Sequence, residues 1–321
     1  MENILDFTRA ELVQWLESKG VRSFRAGQIF KWLYIRQADS FEQMTDLSKS
    51  MRVLLTGHLK IDRLALADRQ VSKDTTEKFL FRLKDGEHVE SVLIPEKDHF
   101  TLCVSSQVGC AQDCRFCLTA KGGLVRNLTA SEMVSQVRDV RNMLIDRGMD
   151  PLKLSNLVFM GMGEPLANYK NLIRALSTIT DTDFGLKFSP RRVTVSTSGL
   201  VPKIIQLGED TDVNLAVSLN AVTDELRTRL MPINKKYPLD QLLDACRNFQ
   251  MKPRNKITFE YILIKDLNDS LKDARQLVRL LSGIKAKVNL IPFNEHEKSE
   301  LKRPSRETMS GFLQILLDSG M

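Results

Sequence analysis

Residues 100–117 read FTLCVSSQVGCAQDCRFC, an apolar strand pattern that leads into Cys110, Cys114 and Cys117 with the spacing C-x3-C-x2-C. With Cys103, four of the five cysteines fall here, which is poor spacing for a disulfide framework and suits a metal centre. Three thiolates on one loop can hold a [4Fe–4S] cluster and leave one iron open. Two other interpretations are structural zinc, with Cys103 as a fourth thiolate, and inert buried cysteines. Zinc motifs usually pair cysteines at wider separation, and the polar residues between these cysteines are unlike a core.

Downstream of residue 99, apolar strand patterns alternate with helical patterns. The six strand candidates are FTLCVSS, LSNLVFM, RRVTVST, VNLAVSL, ITFEYILI and KVNLIPF. Repeated strand, loop and helix predicts an α/β fold with a parallel sheet, here a partial (β/α)6 barrel. Polar or glycine-rich groups follow five of the strands: the cysteine cluster, Gly161–Pro165, Ser196–Gly199, Ser218–Asn220 and Asn294. Because parallel strands end at one edge, we expect these groups to converge.

Upstream of the cysteines the pattern changes twice. Residues 1–58 show apolar residues at helical spacing, which predicts a small helical accessory domain. Residues 59–98 alternate instead, and the runs KFLFRL and HVESVLI flank the turn Lys84-Asp85-Gly86, as in a β-hairpin. We therefore expect a helical domain at 1–58, a β-rich connector at 59–98 and the barrel at 99–321.

The composition limits the class of protein. The chain has 321 residues, 42% apolar and 27% charged, which suits a globular protein with one sizeable core. No run of eighteen apolar residues occurs, and the N-terminus carries acidic residues where a secretory signal would be basic, so we expect a cytoplasmic protein without membrane contact. The net charge of +7 favours a polyanionic partner.

The cysteine loop after the first strand of a βα array resembles the radical-SAM superfamily. There the open iron binds S-adenosylmethionine, and the reduced cluster cleaves it to a 5′-deoxyadenosyl radical. A narrower resemblance is to the RlmN/Cfr family of RNA adenine methyltransferases, closest to the branch that methylates adenine C2. The blocks that carry it are Cys103-Val-Ser-Ser-Gln-Val-Gly-Cys110, Arg126-Asn-Leu-Thr129, Gly161-Met-Gly-Glu-Pro165, Met231-Pro-Ile-Asn-Lys-Lys236 and Leu290-Ile-Pro-Phe-Asn294.

The resemblance assigns roles to particular residues. It implies that the cluster is bound by Cys110, Cys114 and Cys117, and that S-adenosylmethionine is lined by Gly163, Glu164, Ser196, Ser218, Leu219, Asn220 and Asn294. Glu90 matches the family's proton acceptor, and Cys103 matches the thiol that resolves a protein–RNA crosslink. Simpler interpretations are helix caps for the serine groups, a solvated strand carboxylate for Glu90 and a small core residue for Cys103.

The implied reaction is methylation of adenosine C2 in 23S rRNA and tRNA. Adenine C2 is not nucleophilic, so the family first places the methyl group on a carrier cysteine and converts it to a carbon radical. The implied partners are these RNAs and a low-potential electron donor of flavodoxin or ferredoxin type, with the enzyme acting as a monomer. Alternatives are a radical-SAM paralogue with a different output and a metal-stabilised RNA-binding protein without catalysis.

The sequence departs from the family pattern in three places. Family members continue into an Ala-Cys-Gly segment that carries the methyl group, whereas these 321 residues end at Leu316-Leu-Asp-Ser-Gly-Met321. We expect a truncated chain, a carrier supplied by another chain, or a paralogue with other radical chemistry, in that order. Cys246 lies in a helical pattern and does not replace the carrier. Asn220 stands where the family commonly has histidine, and Leu118 and Ala120 replace smaller residues.

Overall fold

The computed structural model describes residues 1–252, 255–296 and 299–321. The strands are β1 (Glu2–Asn3), β2 (Leu59–Lys60), β3 (Ala65–Val71), β4 (Glu77–Arg82), β5 (His88–Pro95), β6 (Phe100–Cys103), β7 (Gln107–Gly109), β8 (Leu124–Asn127), β9 (Leu154–Phe159), β10 (Val193–Thr197), β11 (Asn214–Ser218), β12 (Ile257–Leu263) and β13 (Ala286–Pro292). The α-helices are α1 (Arg9–Ser18), α2 (Arg25–Phe30), α3 (Lys49–His58), α4 (Leu118–Lys121), α5 (Ala130–Asp146), α6 (Tyr169–Ile179), α7 (Val201–Asp210), α8 (Asp224–Leu230), α9 (Leu239–Arg247), α10 (Leu271–Leu280) and α11 (Arg306–Asp318).

The chain forms two compact units. The first contains Met1–Val108, Arg126–Met162 and Asn168–Val193, and the second contains Gly109–Val125, Gly163–Ala167 and Thr194–Met321. No helix in the described part of the chain is both long and apolar enough to cross a membrane.

The first unit combines helices with a mixed sheet. Its strand order is β9-β6-β5-β4-β3, in which β6 and β9 are parallel and the other neighbours antiparallel. The predicted helices α1 to α3 and the predicted β4–β5 hairpin are confirmed. The sequence did not single out β3 as a strand. Every residue of β3 is exposed, so the strand needs no alternation of apolar and polar residues from which it could be predicted. It forms through backbone pairing with β4.

Helix α5 anchors the first unit through polar side chains. The predicted capping box, Thr129 with Glu132, is present at its start. Gln136 is fully buried, and its Oε1 accepts from Ser91 Oγ and from Ser105 N, both at 2.8 Å. Its Nε2 donates to the Ser105 carbonyl at 3.0 Å. A single amide therefore satisfies both backbone groups of Ser105, just after β6, which would otherwise be buried without partners.

The second unit contains a parallel sheet with the strand order β10-β11-β12-β13. Along the chain, helices α7 to α10 lie between its strands and α11 follows the last one, so the predicted βα alternation is present. All six predicted strands exist, as β6 and β9 to β13. The alternate side chains Val195, Val217 and Phe259 are completely buried on one face. The register places Ser196 and Ser218 on the other face, which is only partly buried.

Replacement of Gln136 by leucine tests the anchoring role of α5. Because Q136L leaves the buried Ser105 amide and carbonyl without partners, we expect the free energy of unfolding to fall by about 3 kcal/mol, at about 1–3 kcal/mol for each group. Urea unfolding followed by circular dichroism measures this. The matched control is Q314L at an exposed position of α11, which should change stability by less than about 0.5 kcal/mol. Equal effects of the two variants would contradict the role given to Gln136.

Candidate active site

The cysteine loop in the second unit is shaped by close backbone contacts. Gly109 has φ +73°, and a Cβ at this position would lie 1.9 Å from the Gly123 carbonyl oxygen, so only glycine fits. The same carbonyl accepts a hydrogen bond from Cys110 N at 2.8 Å. Further along, Cys117 N donates to the Cys114 carbonyl at 3.0 Å. The loop that carries the three thiols is therefore held in a tight conformation.

An apolar cluster supports the cysteine loop. Leu230, Met231, Ile264 and Phe293 form its buried core, against which Cys114 and Phe116 pack. A hydrogen bond from Arg115 N to the Leu230 carbonyl, 2.9 Å long, fixes the register of the loop. Met231 and Phe293 belong to two of the sequence blocks that carry the family resemblance. These two sequence blocks, although distant along the chain, therefore contribute side chains to the support of the cysteine loop.

The three thiols fit an iron–sulfur cluster. Burial, together with the neighbouring thiols of Cys117 and Cys110, raises the pKa of Cys114 to about 12. Within the described ranges, no three His, Cys, Asp or Glu side chains converge closely enough to hold a single metal ion. In a [4Fe–4S] cluster each thiolate binds a different iron, so the three thiols need not meet at one point. Ligation would remove the thiol protons, because a bound cation favours the thiolate.

A buried carboxylate follows the glycine-rich loop. Gly163 has φ +100°, and Glu164 is 3% exposed. Its Oε2 accepts from Ser198 N at 2.7 Å, and its Oε1 accepts from Leu166 N at 3.1 Å. Burial raises the pKa of Glu164, while these amides favour the ionised form. Each carboxylate oxygen can accept more than one hydrogen bond, so Glu164 can also bind an ammonium group.

Arg227 joins the loops after β10 and β11. It is completely buried; its Nη2 donates to the carbonyls of Ser198 and Ser218 at 2.6 and 3.1 Å, and its Nε donates to the Leu219 carbonyl at 3.2 Å. Its Nη1 donates to Asn234 Oδ1 at 2.9 Å. Burial lowers its pKa to about 10, which leaves the guanidinium charged at neutral pH. Sequence analysis missed Arg227, because nothing in DELRTRL distinguishes it from the exposed Arg229.

The expected S-adenosylmethionine residues all belong to the second unit. Leu219 N donates to the Glu260 carbonyl at 3.0 Å. Asn220 is 1% exposed with φ +58°, and its Oδ1 accepts from Ile262 N at 2.8 Å. Its side chain therefore supports the neighbouring strand. Ser196 and Ser218 are partly exposed, and Asn294 is exposed. The alternative that the serine groups cap helices is wrong, because Leu200 and Thr223 hold the N-cap positions of α7 and α8.

Glu90 and Cys103 belong to the first unit. Glu90 lies on β5, and its Oε1 pairs with Lys78 Nζ at 3.1 Å, with both side chains about two-fifths exposed. The Glu90 carbonyl accepts from Ser105 Oγ at 2.6 Å, which fixes the backbone at this point. Cys103 ends β6, and burial of its thiol raises the pKa to about 11. The thiol is therefore protonated at neutral pH.

Comparison with known proteins identifies the family. The Radical SAM superfamily matches residues 104–278, and the ribosomal RNA large subunit methyltransferase N-terminal domain matches residues 2–61. A dual-specificity RNA methyltransferase RlmN from Desulfosudis oleivorans is 56% identical over 317 residues, covering 99% of this chain and 84% of the relative. This chain belongs to the RlmN family. An RlmN from Geobacter sulfurreducens is 55% identical over 308 residues, covering 96% of this chain and 83% of its own length.

A solved structure of a radical SAM methyltransferase confirms the fold. The crystal structure of a radical SAM methyltransferase from Sphaerobacter thermophilus has 43% sequence identity and a TM-score of 0.91, and the match covers 100% of this chain and 94% of that one. The chain therefore has the radical-SAM α/β fold that the βα alternation predicted. The predicted cofactors, a [4Fe–4S] cluster and S-adenosylmethionine, are those of this superfamily, so the structural-zinc interpretation is not retained. The RlmN family consists of enzymes, as expected.

Loss of Arg227 should loosen the strand ends of the second unit. R227M leaves three backbone carbonyls and Asn234 without their donor, so we expect the free energy of unfolding to fall by about 3 kcal/mol or more. Chemical denaturation of the cluster-loaded protein measures the change. The control R229M removes an exposed arginine from the same helix and should have little effect. A stable R227M protein would show that the carbonyls find other donors.

Alkylation of Cys103 should depend steeply on pH. Burial disfavours the thiolate and raises the pKa to about 11, so the reactive fraction grows about tenfold per pH unit below that value. We expect iodoacetamide to modify Cys103 slowly at neutral pH and progressively faster up to about pH 10. Mass spectrometry of the anaerobic holoprotein follows the modification at this residue. A rate already constant at neutral pH would contradict the raised pKa.

Proposed function

We propose that this chain methylates C2 of adenosine in 23S rRNA and tRNA by radical chemistry. The observation that carries the proposal is the tight loop of the second unit that holds Cys110, Cys114 and Cys117. Gln112 of this loop accepts a hydrogen bond from Ser198 Oγ, and Ser198 N donates to the buried carboxylate of Glu164. The names of the similar relatives, dual-specificity RNA methyltransferases, support an RNA substrate. The +7 net charge is consistent with a polyanionic partner.

In this proposal Cys110, Cys114 and Cys117 hold the [4Fe–4S] cluster. When bound and reduced, the cluster supplies the electron that cleaves S-adenosylmethionine to a 5′-deoxyadenosyl radical. Glu164 accepts hydrogen bonds from the methionyl ammonium, and the positive φ of Gly163 allows the backbone to approach it. The remaining lining residues are Ser196, Ser218, Leu219, Asn220 and Asn294. Arg227 holds the loops of Ser218 and Leu219 in place through their carbonyls.

Two residues of the first unit would complete the reaction. Glu90 accepts a proton from the adenine ring; its pairing with Lys78 and its exposure support the presence of an available carboxylate. Cys103 then attacks the sulfur of the family's methyl-carrier cysteine. A disulfide forms, the sulfur–carbon bond of the protein–RNA crosslink breaks, and the released carbon takes up a proton to become the methyl group. The raised pKa of Cys103 means that its proton must be removed before the thiol acts as a nucleophile. A base close to Cys103 in the RNA complex is therefore part of the proposal.

The helical domain at residues 1–58 is proposed to bind RNA. Cations lie over three of its aromatic rings. The Arg36 guanidinium is 4.1 Å from the Trp32 ring centroid, that of Arg25 is 4.8 Å from Phe24, and Lys19 Nζ is 5.9 Å from Trp15. Phe24 is 54% exposed. An exposed ring combined with positive charge suits base stacking and phosphate binding. The other two proposed domains are the β-rich connector at 59–98 and the barrel at 99–321.

Three further properties are proposed on chemical grounds. The cluster needs an electron at low potential, so a flavodoxin- or ferredoxin-type protein would be the donor. Reduced thiols and an RNA substrate suit the cytoplasm. We also propose that the enzyme acts as a monomer, which size-exclusion chromatography with light scattering would test.

Formation of 5′-deoxyadenosine tests the radical chemistry without depending on the family's carrier-cysteine segment. We expect the anaerobically reconstituted protein, with dithionite and S-adenosylmethionine, to form 5′-deoxyadenosine. C114A should lose this activity together with iron, because one cluster ligand is removed. The matched control C246A removes a thiol that is buried in α9 and should keep both activity and iron. Mass spectrometry and iron analysis provide the readouts.

The RNA substrate is tested in the same reaction with an unmodified 23S rRNA fragment. Detection of 2-methyladenosine would establish the proposed product directly. If the RNA stimulates cleavage of S-adenosylmethionine but no methylated nucleoside forms, the result would support RNA as the substrate. The defect would then lie in the methyl-transfer step. No cleavage by a protein with its full iron content would refute the proposed function.

A further inference from the structure

One face of the parallel sheet in the second unit carries a polar row beside the candidate S-adenosylmethionine site. The register pairs Ser218 of β11 with Glu260 of β12, and Glu260 with Asn289 of β13. Residues directly opposite one another project to the same face. Asn289 is exposed and Ser218 is partly exposed, whereas Phe259 and Tyr261, which flank Glu260, are completely buried on the opposite face. The polar row therefore occupies the accessible face.

Glu260 is the unusual member of this row. It is 8% exposed, and its Oε2 accepts from Asn289 Nδ2 at 2.7 Å. Burial raises the pKa of Glu260, and the amide of Asn289 and the charge of Lys287 oppose this. An ionised carboxylate has about four acceptor positions on its two oxygens. One amide donor leaves capacity for the donor groups of a ligand.

Sheet stability does not explain a carboxylate at this position. A favourable cross-strand pair contributes only a little to the free energy of folding, whereas removing a carboxylate from water is strongly unfavourable. Glutamine could accept the same hydrogen bond from Asn289 without that cost. A residue that lowers stability is typical of a functional site.

The backbone of β12 connects Glu260 to the candidate site. Its carbonyl accepts from Leu219 N at 3.0 Å, and two residues later Ile262 N donates to Asn220 Oδ1 at 2.8 Å. A shift of β12 would therefore move Leu219 and Asn220 with it. The carboxylate of Glu260 lies on the strand that these two residues contact.

We propose that Glu260, oriented by Asn289, binds an adenosine nucleoside by accepting hydrogen bonds from its ribose hydroxyls or its 6-amino group. This inference rests on the proposed function, in which the barrel receives adenosine from two sources, S-adenosylmethionine and the target nucleotide of the RNA. Both offer the same donors. Glu260 is a binding residue in either case, additional to the cluster ligands and to Glu164.

The experiment compares E260Q with the wild type as holoproteins whose cluster is oxidised, so that S-adenosylmethionine binds without being cleaved. Anaerobic calorimetry gives the dissociation constants for S-adenosylmethionine and for its 2′-deoxy, 3′-deoxy and 6-deamino analogues. Fluorescence anisotropy gives that of the 23S rRNA fragment with S-adenosylmethionine present. E209Q, a substitution of an exposed glutamate on α7, is the matched control. Thermal melting of all three proteins reports on a purely structural role.

We expect E260Q to weaken the binding of one adenosine source by about tenfold to a hundredfold, the usual effect of losing a hydrogen bond to a charged group. Weaker binding of S-adenosylmethionine, with lost discrimination against one analogue, identifies its nucleoside and the group bound. Weaker binding of RNA alone identifies the target adenosine. The melting temperature should not fall.

Unchanged affinities for both sources, or a fall in melting temperature without loss of affinity, would overturn the role of Glu260. The proposed function would survive that result, because 5′-deoxyadenosine formation and its loss in C114A are measured separately. A wild-type holoprotein that binds neither S-adenosylmethionine nor RNA would overturn both.

Discussion

The carbonyl groups at and just beyond the carboxyl ends of β10 and β11 accept hydrogen bonds from one buried side chain, Arg227. Its buried guanidinium donates to the carbonyls of Ser198 and Ser218 through Nη2 and to that of Leu219 through Nε. Ser198 in turn donates its backbone N–H to Glu164. The rigid planar fork of arginine suits this task, because several donors point outward at fixed angles. This one side chain therefore links three residues of the candidate site through their backbone carbonyls.

The two buried glutamates differ in the groups that donate hydrogen bonds to them. Glu164 accepts backbone amides at both oxygens, so its position is fixed before any ligand arrives. Glu260 accepts from Asn289, a side chain at the accessible face. In both cases the carboxylate is oriented by amide N–H donors and keeps acceptor capacity on its oxygens.

Much of the architecture could be predicted from the sequence. The six strands, the β4–β5 hairpin and the capping box of α5 follow from local patterns, and each is present. The prediction missed β3, whose exposed residues show no alternation. It also did not foresee that the side chain of Asn220 supports β12, since polar residues after a strand can face a ligand or the backbone equally well. The difference lies in a left-handed backbone at Asn220 that sequence patterns do not reveal.

The C-x3-C-x2-C spacing alone shows that three thiols lie on one short loop, whatever surrounds them. The strands could also be located along the chain from the sequence, since apolar periodicity is a local property. Which of the two arginines on α8 is buried, and that Glu260 contacts Asn289 across a strand pair, follow only from the folded structure. Burial and cross-strand pairing bring together residues that are far apart in sequence. The free energy of a buried charge depends on these partners, because water no longer solvates it.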